Sequence, residues 1–339
     1  MQTKNNLTII LLIKEELPST ELFLKHFSNA NPNIDLFIAD GSKRRFNDKI
    51  LKKIKNFKNI TYKKFPEDKN IHIFYKKILL SIKKVKTKYI LLSSNDDFHI
   101  FRTIQKCLFE LEKNKKYLIG CGGSIISFKL EENNLNLYKI KDTRKLYFNK
   151  KFHQKTVKER IINFLKKDFS SLFHYIIERK VLLKNYSEVE NLFNKNIEFK
   201  DHFSELNILK MGRIKILSFP ILLHQNKANS EATKRPANLL KLLKQENFIK
   251  DLQIFIKIIS KKTKIKKETL MQLYYNSFIL KFNRNLMLPL EPSVKKITQI
   301  LSNKIIKKIN YKKDNSKVYN SRYLDKEIKK ILEIINKKS

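Results

Sequence analysis

The sequence predicts an α/β protein with a mostly parallel sheet flanked by helices, followed by a helical C-terminal region. Two observations support this prediction. Short apolar runs alternate with Lys-rich amphipathic segments through the N-terminal part of the chain. After that part, apolar residues recur only at helical spacing. Such alternation is typical of parallel strands joined by helical crossovers. We therefore divide the chain into an α/β domain, residues 1–227, and a helical, Lys-rich region, residues 228–339.

The predicted strands are short apolar runs, several of which end in polar residues. They are Leu7–Ile13, Asp35–Ala39, Asn59–Lys63, Tyr89–Ser93, Tyr117–Ile119, Ser124–Lys129 and Ile214–Ser218. Apolar residues at helical spacing predict helices over Ser19–Ser28, Phe46–Phe57, Ile71–Lys84, Phe101–Lys113, from Pro236 to about Phe282 and from Pro292 onwards. Gly120, Gly122 and Gly123 favour a turn between two strands, with a loop that admits an acceptor as the alternative.

The chain is strongly basic, with a formal net charge of +41 from 73 Lys and Arg against 32 Asp and Glu. The basic residues are mostly Lys and are spread along the whole length with many Asn and Ile, which indicates a compositional bias. The sequence contains no zinc-finger or RNA-binding motif, so we expect no specific nucleic-acid partner. The charge favours peripheral contact with an anionic membrane.

Cysteine usage and hydropathy predict a cytoplasmic location, either free or peripheral at the inner face of the membrane. Cys107 and Cys121 lack metal-binding or redox spacing, and we expect them to be buried thiols. The apolar run Leu7–Ile13 is short for a membrane span and lacks a small-residue cleavage site, so it is interpreted as a buried strand.

Acidic residues follow two of the predicted strands, at Asp40 in IDLFIADGS and at Asp96 and Asp97 in KYILLSSNDDF. Adjacent carboxylates repel each other unless a positive group lies between them. Mg²⁺ and Mn²⁺ prefer oxygen ligands and often bind carboxylates together with substrate phosphates. Since ligands bind beyond the carboxyl ends of parallel strands, the sequence predicts a metal-phosphate site here. Asn-Asp-Asp is also typical of a turn, or of the N-cap of a helix beginning near His99.

Together, four segments resemble the inverting glycosyltransferases of family 2, which have the GT-A fold, and in particular a bacterial branch with a DDDF-type motif. The segments TIILLIKEE, IADGS, SSNDDF and FKDHFSELNILKMGRIKIL hold the places of that family's first strand, nucleotide motif, metal motif and acidic base motif. The resemblance covers residues 7–226. Leu12, Glu15 and Asn95 depart from the family pattern, which has Pro, Asn and an acid there.

The resemblance implies an enzyme that transfers a sugar from a nucleotide-diphosphate donor to a hydroxyl group of a glycan or lipid-linked acceptor in surface polysaccharide synthesis. Asp96 and Asp97, with His224, would bind Mn²⁺ or Mg²⁺, which neutralises charge on the leaving diphosphate. Asp201 is the implied general base, with Glu205 and then Glu198 as alternatives. The implied nucleotide-binding residues are Glu15, Asp40, Ser42, Ser94 and Asn95.

Several alternatives remain open at the level of the sequence. His224 is also consistent with a structural role, and Asp201 with the N-cap of a helix. The remaining histidines considered are assigned structural or surface roles: His72, His99, His153, His174 and His202. An inactive GT-A scaffold and a basic nucleic-acid-binding or membrane-binding protein are the competing functions. A sugar nucleotidyltransferase is disfavoured because LLIKEELPS lacks a glycine-rich phosphate loop.

Overall fold

The computed structural model describes residues 6–15, 17–30, 32–44, 57–132, 138–146, 152–165, 171–193, 196–225 and 247–285, together with 327–334 except residues 329 and 332. The predicted helix at Phe46–Phe57 lies outside these residues apart from Phe57, and so do the start of the predicted C-terminal helices at Pro236 and most of the stretch after Pro292.

A single mixed sheet forms the centre of the described part of the protein. Its strands are β1 Leu7–Ile13, β2 Asp35–Asp40, β3 Ile60–Lys64, β4 Tyr89–Ser94, β5 Asp97–His99, β6 Leu118–Glu132, β7 Tyr138–Leu146, β8 Ile176–Glu178 and β9 Arg213–Gln225. The spatial order is β3-β2-β1-β4-β8-β6-β9-β5, and β7 pairs with β6. Strands β3, β2, β1 and β4 are parallel, β6 is parallel to β9, and β8 joins the two groups by antiparallel pairing.

Helices cover both faces of the sheet, which confirms the predicted α/β class. They are α1 Leu17–Ala30, α2 Ile71–Lys84, α3 Phe101–Lys113, α4 Val157–Leu165, α5 Arg179–Val189, α6 Ile197–Met211, α7 Phe248–Thr263 and α8 Lys267–Asn285. Among the described helices, none combines the length and the apolar character needed to cross a bilayer.

Strand β1 lies between two hydrophobic cores, and all seven of its residues are therefore buried. Ile10 and Leu12 pack in a core with α2, α5 and α6, while the alternate residues Ile9 and Leu11 pack in a second core with α1 and α3. A strand covered on both faces needs apolar residues at every position, and this explains the uninterrupted run LTIILLI.

The C-terminal helices share the first of these cores. Phe255 of α7 and Tyr274 of α8 are almost fully buried, and their rings lie 5.6 and 5.9 Å from that of Phe199 in α6. The division of the chain at residue 227 stays a prediction, but the two helices pack directly on α6 through aromatic side chains.

The described residues between 327 and 334, here called the C-terminal segment, lie against the start of α3. Ile100, the N-cap residue of α3, makes no side-chain cap hydrogen bond. Instead, the Phe101 backbone N–H donates to Glu327 Oε1 at 2.7 Å. Ile331 is buried with Phe98 and Leu223. The C-terminal segment therefore caps a helix more than two hundred residues earlier in the chain and packs behind β5 and β9.

The three clustered glycines lie within one strand, so the prediction of a turn between two strands was wrong. Strand β6 runs through Gly120, Gly122 and Gly123, and at Gly122 and Gly123 its neighbours approach too closely for a side chain. A Cβ at Gly122 would lie 2.5 Å from the ring of Tyr175, and one at Gly123 would lie 2.3 Å from the backbone oxygen of Phe219.

Replacing Gly123 with Ala should lower the free energy of unfolding by about 1–3 kcal/mol, because the clash is with backbone that cannot rotate away. Urea denaturation followed by circular dichroism measures this loss. Gly120→Ala is the matched control, since its Cβ would lie 3.1 Å from the nearest atom, the backbone oxygen of Ile176. Equal losses in the two variants would contradict the explanation.

Candidate functional site

A cavity of about 820 Å³ opens beside the carboxyl ends of β1 and β4. Its walls come from these strand ends, from the first turns of α2, from residues 171–175, from α6 and from the end of β9. The lining residues that carry groups suited to chemistry include Ser94, His174, Asp201, Glu205 and His224. Ser94 of the segment SSNDDF therefore lines the same cavity as Asp201 and Glu205 of the segment FKDHFSELNILKMGRIKIL.

Asp97 is the most constrained charged residue at this site, since it is fully buried. Its Oδ2 accepts a hydrogen bond from the Ser94 backbone N–H at 3.0 Å, and its Oδ1 lies 2.8 Å from Nδ1 of His224. Nδ1 of His174 lies 3.2 Å from Oδ2. Burial opposes ionisation of Asp97, but the charges of His174 and His224 and the hydrogen bond from His224 outweigh it and hold the pKa of this carboxyl well below its usual range.

Local pairing of strands brings Asp97 and His224 together. Residues 97–99 form β5, which is antiparallel to β9, and Asp97 is directly opposite His224. Asn95 and Asp96 form the turn between β4 and β5. The turn interpretation of Asn-Asp-Asp is thus correct, but the N-cap interpretation is wrong, because α3 begins at Phe101 after Ile100.

Asp96, Asp97 and His224 form a cluster that could hold a cation. One potential ligand atom from each residue lies within 4.8 Å of the others. Ser94 supports both carboxylates, since its hydroxyl lies 2.5 Å from Asp96 Oδ1 and 2.8 Å from Asp97 Oδ2. Because a hydroxyl carries one proton, it donates to one carboxylate at a time. Two carboxylates and an imidazole at this spacing suit a divalent cation that accepts mixed oxygen and nitrogen ligands.

His174 is part of this arrangement, although the sequence assigned it a structural or surface role. Its ring centroid lies 6.1 Å from that of His224, and its Nδ1 faces Asp97 without hydrogen-bond geometry. Burial lowers the pKa of His174, while the charge of Asp97 opposes that effect. The residue precedes the short strand β8, which the sequence did not predict, so no local pattern identified it.

Asp201 projects from α6, where it accepts a hydrogen bond from the hydroxyl of Tyr75 at 2.5 Å. Burial, and then the charge of Asp201, raise the pKa of Tyr75, so the phenol stays protonated and remains a donor. Asn196 is the N-cap of α6, and its side chain accepts from the Phe199 backbone N–H. The alternative that Asp201 is an N-cap is therefore wrong.

The two alternatives to Asp201 occupy different surroundings on the same helix. Glu205 lies one turn further along α6, lines the cavity and accepts from the Leu172 backbone N–H at 3.2 Å. Glu198 is buried, with Oε2 3.7 Å from Nε2 of His202. Nδ1 of His202 in turn lies 2.6 Å from the hydroxyl of Tyr274. Glu198 thus belongs to a polar contact between α6 and α8.

Asp40 is held by protein groups on both of its carboxylate oxygens. Its Oδ1 accepts from the Ser42 backbone N–H at 2.8 Å, and its Oδ2 accepts from the hydroxyl of Tyr62 at 2.6 Å. The Ser42 hydroxyl accepts from the backbone N–H of Glu15, which has a positive φ of 55°. Asp40, Ser42 and Glu15 therefore form one network that fixes the loops after β1 and β2.

Asn95 is directed away from the Asp96–His224 cluster. Its side-chain amide donates to the Thr20 hydroxyl in α1 at 3.1 Å, and the residue is buried. The structure thus brings Ser94, Asp96, Asp97 and His224 together, and it places Asn95 in a contact between the turn after β4 and α1.

A buried ion pair borders the cavity on the side of β1 and α2. Lys77 Nζ donates to Asp68 Oδ2 and, at 3.0 Å, to the backbone oxygen of Ile13. Burial raises the pKa of Asp68 and lowers that of Lys77, and the attraction between the two opposes both shifts. The sequence did not predict this pair, because Lys77 is one of many lysines with no distinguishing pattern.

Comparisons with known proteins bear on the fold. No family model matches the sequence, and no curated protein matches it. The structure is similar to a crystal structure of S. aureus TarS, at 13% identity and a TM-score of 0.50, over 81% of this chain and 43% of that chain. It is also similar to S. aureus TarS 1–349 in complex with UDP-GlcNAc, at 12% identity and a TM-score of 0.51, over 82% of this chain and 72% of that chain.

This chain thus spans less than half of the longer TarS chain. At such low identity the likeness establishes the architecture, and the protein has a GT-A-like α/β fold.

Proposed function

We propose that this protein is a glycosyltransferase that uses a nucleotide-diphosphate sugar, a divalent cation and an inverting mechanism. One observation carries the proposal: the Asp96, Asp97 and His224 cluster adjoins the same cavity that Asp201 and Glu205 line. Such a reaction needs both a place for a charged diphosphate and a carboxylate that removes a proton from the acceptor.

The donor set fits Mn²⁺ or Mg²⁺ on chemical grounds. Two carboxylates are ligands that both ions prefer, and the imidazole of His224 favours Mn²⁺ over Mg²⁺. When bound, the cation would neutralise charge on the diphosphate as it leaves. Ser94 orients the two carboxylates, and His174 contributes a further polar group next to Asp97.

Asp201 is the proposed general base for the acceptor hydroxyl group. The Tyr75 hydroxyl donates to Oδ1 of Asp201, and this contact holds the carboxylate in one orientation. Glu205 is the alternative base on the next turn of α6. Residues of the Asp40, Ser42 and Glu15 network would shape the nucleotide side of the site by fixing the loops after β1 and β2.

The donor class is supported by the solved structure of similar fold that contains UDP-GlcNAc. The acceptor proposed is a hydroxyl of a glycan or of a lipid-linked intermediate, and the resemblance to family 2 enzymes with the DDDF-type motif supports it. The same resemblance supports surface polysaccharide synthesis at the inner face of the membrane, where the net charge of +41 favours contact with anionic lipid.

Asp96→Ala should abolish the dependence of donor binding on the cation, because it removes one of two carboxylates from the cluster. Thermal shift of the purified protein with UDP-, GDP- and dTDP-sugars, each with and without Mn²⁺, measures this effect. Glu112→Ala is a control, since that side chain is exposed and pairs with Lys88 on the surface. An Asp96→Ala protein with unchanged Mn²⁺-dependent binding would contradict the metal assignment.

Asp201→Asn should preserve donor binding and lower turnover by about 10²–10⁴-fold, because the amide cannot accept the proton. Release of nucleoside diphosphate from the donor, with water as acceptor where no better one is known, measures turnover. Glu205→Gln tests the alternative base in the same assay. Full turnover in Asp201→Asn together with loss in Glu205→Gln would transfer the role of base to Glu205.

Failure of the wild-type protein to bind any nucleotide sugar, with or without Mn²⁺, would favour an inactive GT-A scaffold. Strongly salt-dependent binding to nucleic acid of any sequence would instead favour the basic binding protein. Binding of a donor in the presence of a chelator would indicate that His174 and His224 neutralise Asp97 without a cation.

A further inference from the structure

Asp68 lines the cavity and has a carboxylate oxygen without a hydrogen-bond partner in the described part of the chain. The residue is 3% exposed, and it is one of the cavity-lining residues. Its Oδ1 has no hydrogen-bond partner in the described part of the chain, whereas its Oδ2 accepts from Lys77. A buried carboxylate oxygen without a donor is costly, and such groups in native proteins usually have a partner or a function.

The position of this carboxylate is closely defined by its surroundings. The Asp68 backbone N–H donates to the Gly41 backbone oxygen at 2.8 Å. A Cβ at Gly41 would lie 2.4 Å from Cγ of Asp68, so only glycine allows the carboxylate to lie there. Lys77, itself 2% exposed, donates to Oδ2, whereas Oδ1 accepts from no described residue.

Asp40, by contrast, has no unsatisfied carboxylate oxygen. Both of its oxygens already accept hydrogen bonds, from Ser42 and Tyr62, and the residue is fully buried. The resemblance implied that Asp40 is a nucleotide-binding residue. An unsatisfied carboxylate oxygen lies instead at Asp68, on the loop between β3 and α2.

An aromatic ring lies near Lys77, the lysine that pairs with Asp68. Phe74 lines the cavity, and its ring centroid lies 5.3 Å from Nζ of Lys77, the partner of Asp68. A planar heterocycle can stack on an aromatic side chain while its edge forms a hydrogen bond with a nearby polar group. The same cavity reaches Ser94 and His224, beside the proposed site of the diphosphate.

We propose that Asp68 binds the nucleobase of the donor. Its Oδ1 selects an imide base, uracil or thymine, by accepting a hydrogen bond from the ring N3–H. This inference rests on the proposed use of a nucleotide-diphosphate sugar. Guanine presents two N–H groups on one edge, N1 and N2, which match two carboxylate oxygens, but Oδ2 is engaged by Lys77. Adenine and cytosine present a ring nitrogen lone pair beside the exocyclic amine, and this lone pair would face the carboxylate.

The first test compares UDP, dTDP, GDP, ADP and CDP with the wild-type protein by isothermal titration calorimetry in the presence of Mn²⁺. We expect UDP or dTDP to bind at least about tenfold more tightly than the other three, because one hydrogen bond to a charged group accounts for such a difference. Preference for GDP, ADP or CDP would overturn the inference. Absence of binding by all five would instead overturn the proposed function.

Asp68→Asn should reverse the base preference. The amide oxygen must face Lys77, which can only donate, so the NH₂ group takes the place of Oδ1 and faces the base. A donor at this position repels N3–H of uracil and matches N3 of cytosine. We expect UDP affinity to fall by about tenfold or more and CDP affinity to rise, in the same titration.

Glu67→Gln is the matched control, because it removes the same charge from the adjacent residue of the same loop, and we expect it to keep the wild-type preference. Circular dichroism establishes that each variant is folded. An Asp68→Asn protein that is folded and still prefers UDP over CDP would overturn the inference.

A second measurement needs no variant, so it holds even where Asp68→Asn fails to fold. The nucleotide 3-methyl-UDP lacks the N3–H group, and we expect it to bind the wild-type protein at least about tenfold more weakly than UDP. Equal affinity for the two nucleotides would show that N3–H makes no hydrogen bond with the protein and would overturn the inference.

Discussion

The buried carboxylate of Asp97 is the interaction on which the arrangement of the site depends. A charge removed from water is tolerated only when polar groups surround it, and loss of one partner of a buried pair typically costs about 3–5 kcal/mol. Here the partners come from three places in the chain: Ser94 at the end of β4, His174 before β8 and His224 in β9. Electrostatic compensation of one group therefore fixes the relative position of three strands that are distant in sequence.

Much of the local structure could be predicted from the sequence, because local structure depends on periodicity. The bounds of β1, α2 and α3 agree with the predicted segments Leu7–Ile13, Ile71–Lys84 and Phe101–Lys113. The short strands β5 and β8 were missed, because three residues are too few to show a period. Strand β6 was divided at its glycines, since a glycine required by the ring of Tyr175 looks in sequence like a glycine required by a turn.

The site could be predicted only as far as its residue types and strand ends allowed. The acids at Asp96, Asp97 and Asp201 stood out because they follow or precede apolar segments. Tyr75, His174 and the Asp68–Lys77 pair did not, because their significance comes from partners on other elements. The type of a residue can be identified from the sequence. Its burial and its hydrogen-bond partners depend on the folded structure.

The contact between Asp97 and His224 joins residues that are 127 positions apart. Closing a loop of that length costs the unfolded chain about 5 kcal/mol of entropy. A ligand that bridges the two residues binds only the closed chain and thus behaves as a removable cross-link. Occupancy of the site should then govern how readily proteases reach the opened protein, so that the lifetime of the molecule follows the supply of its own ligands.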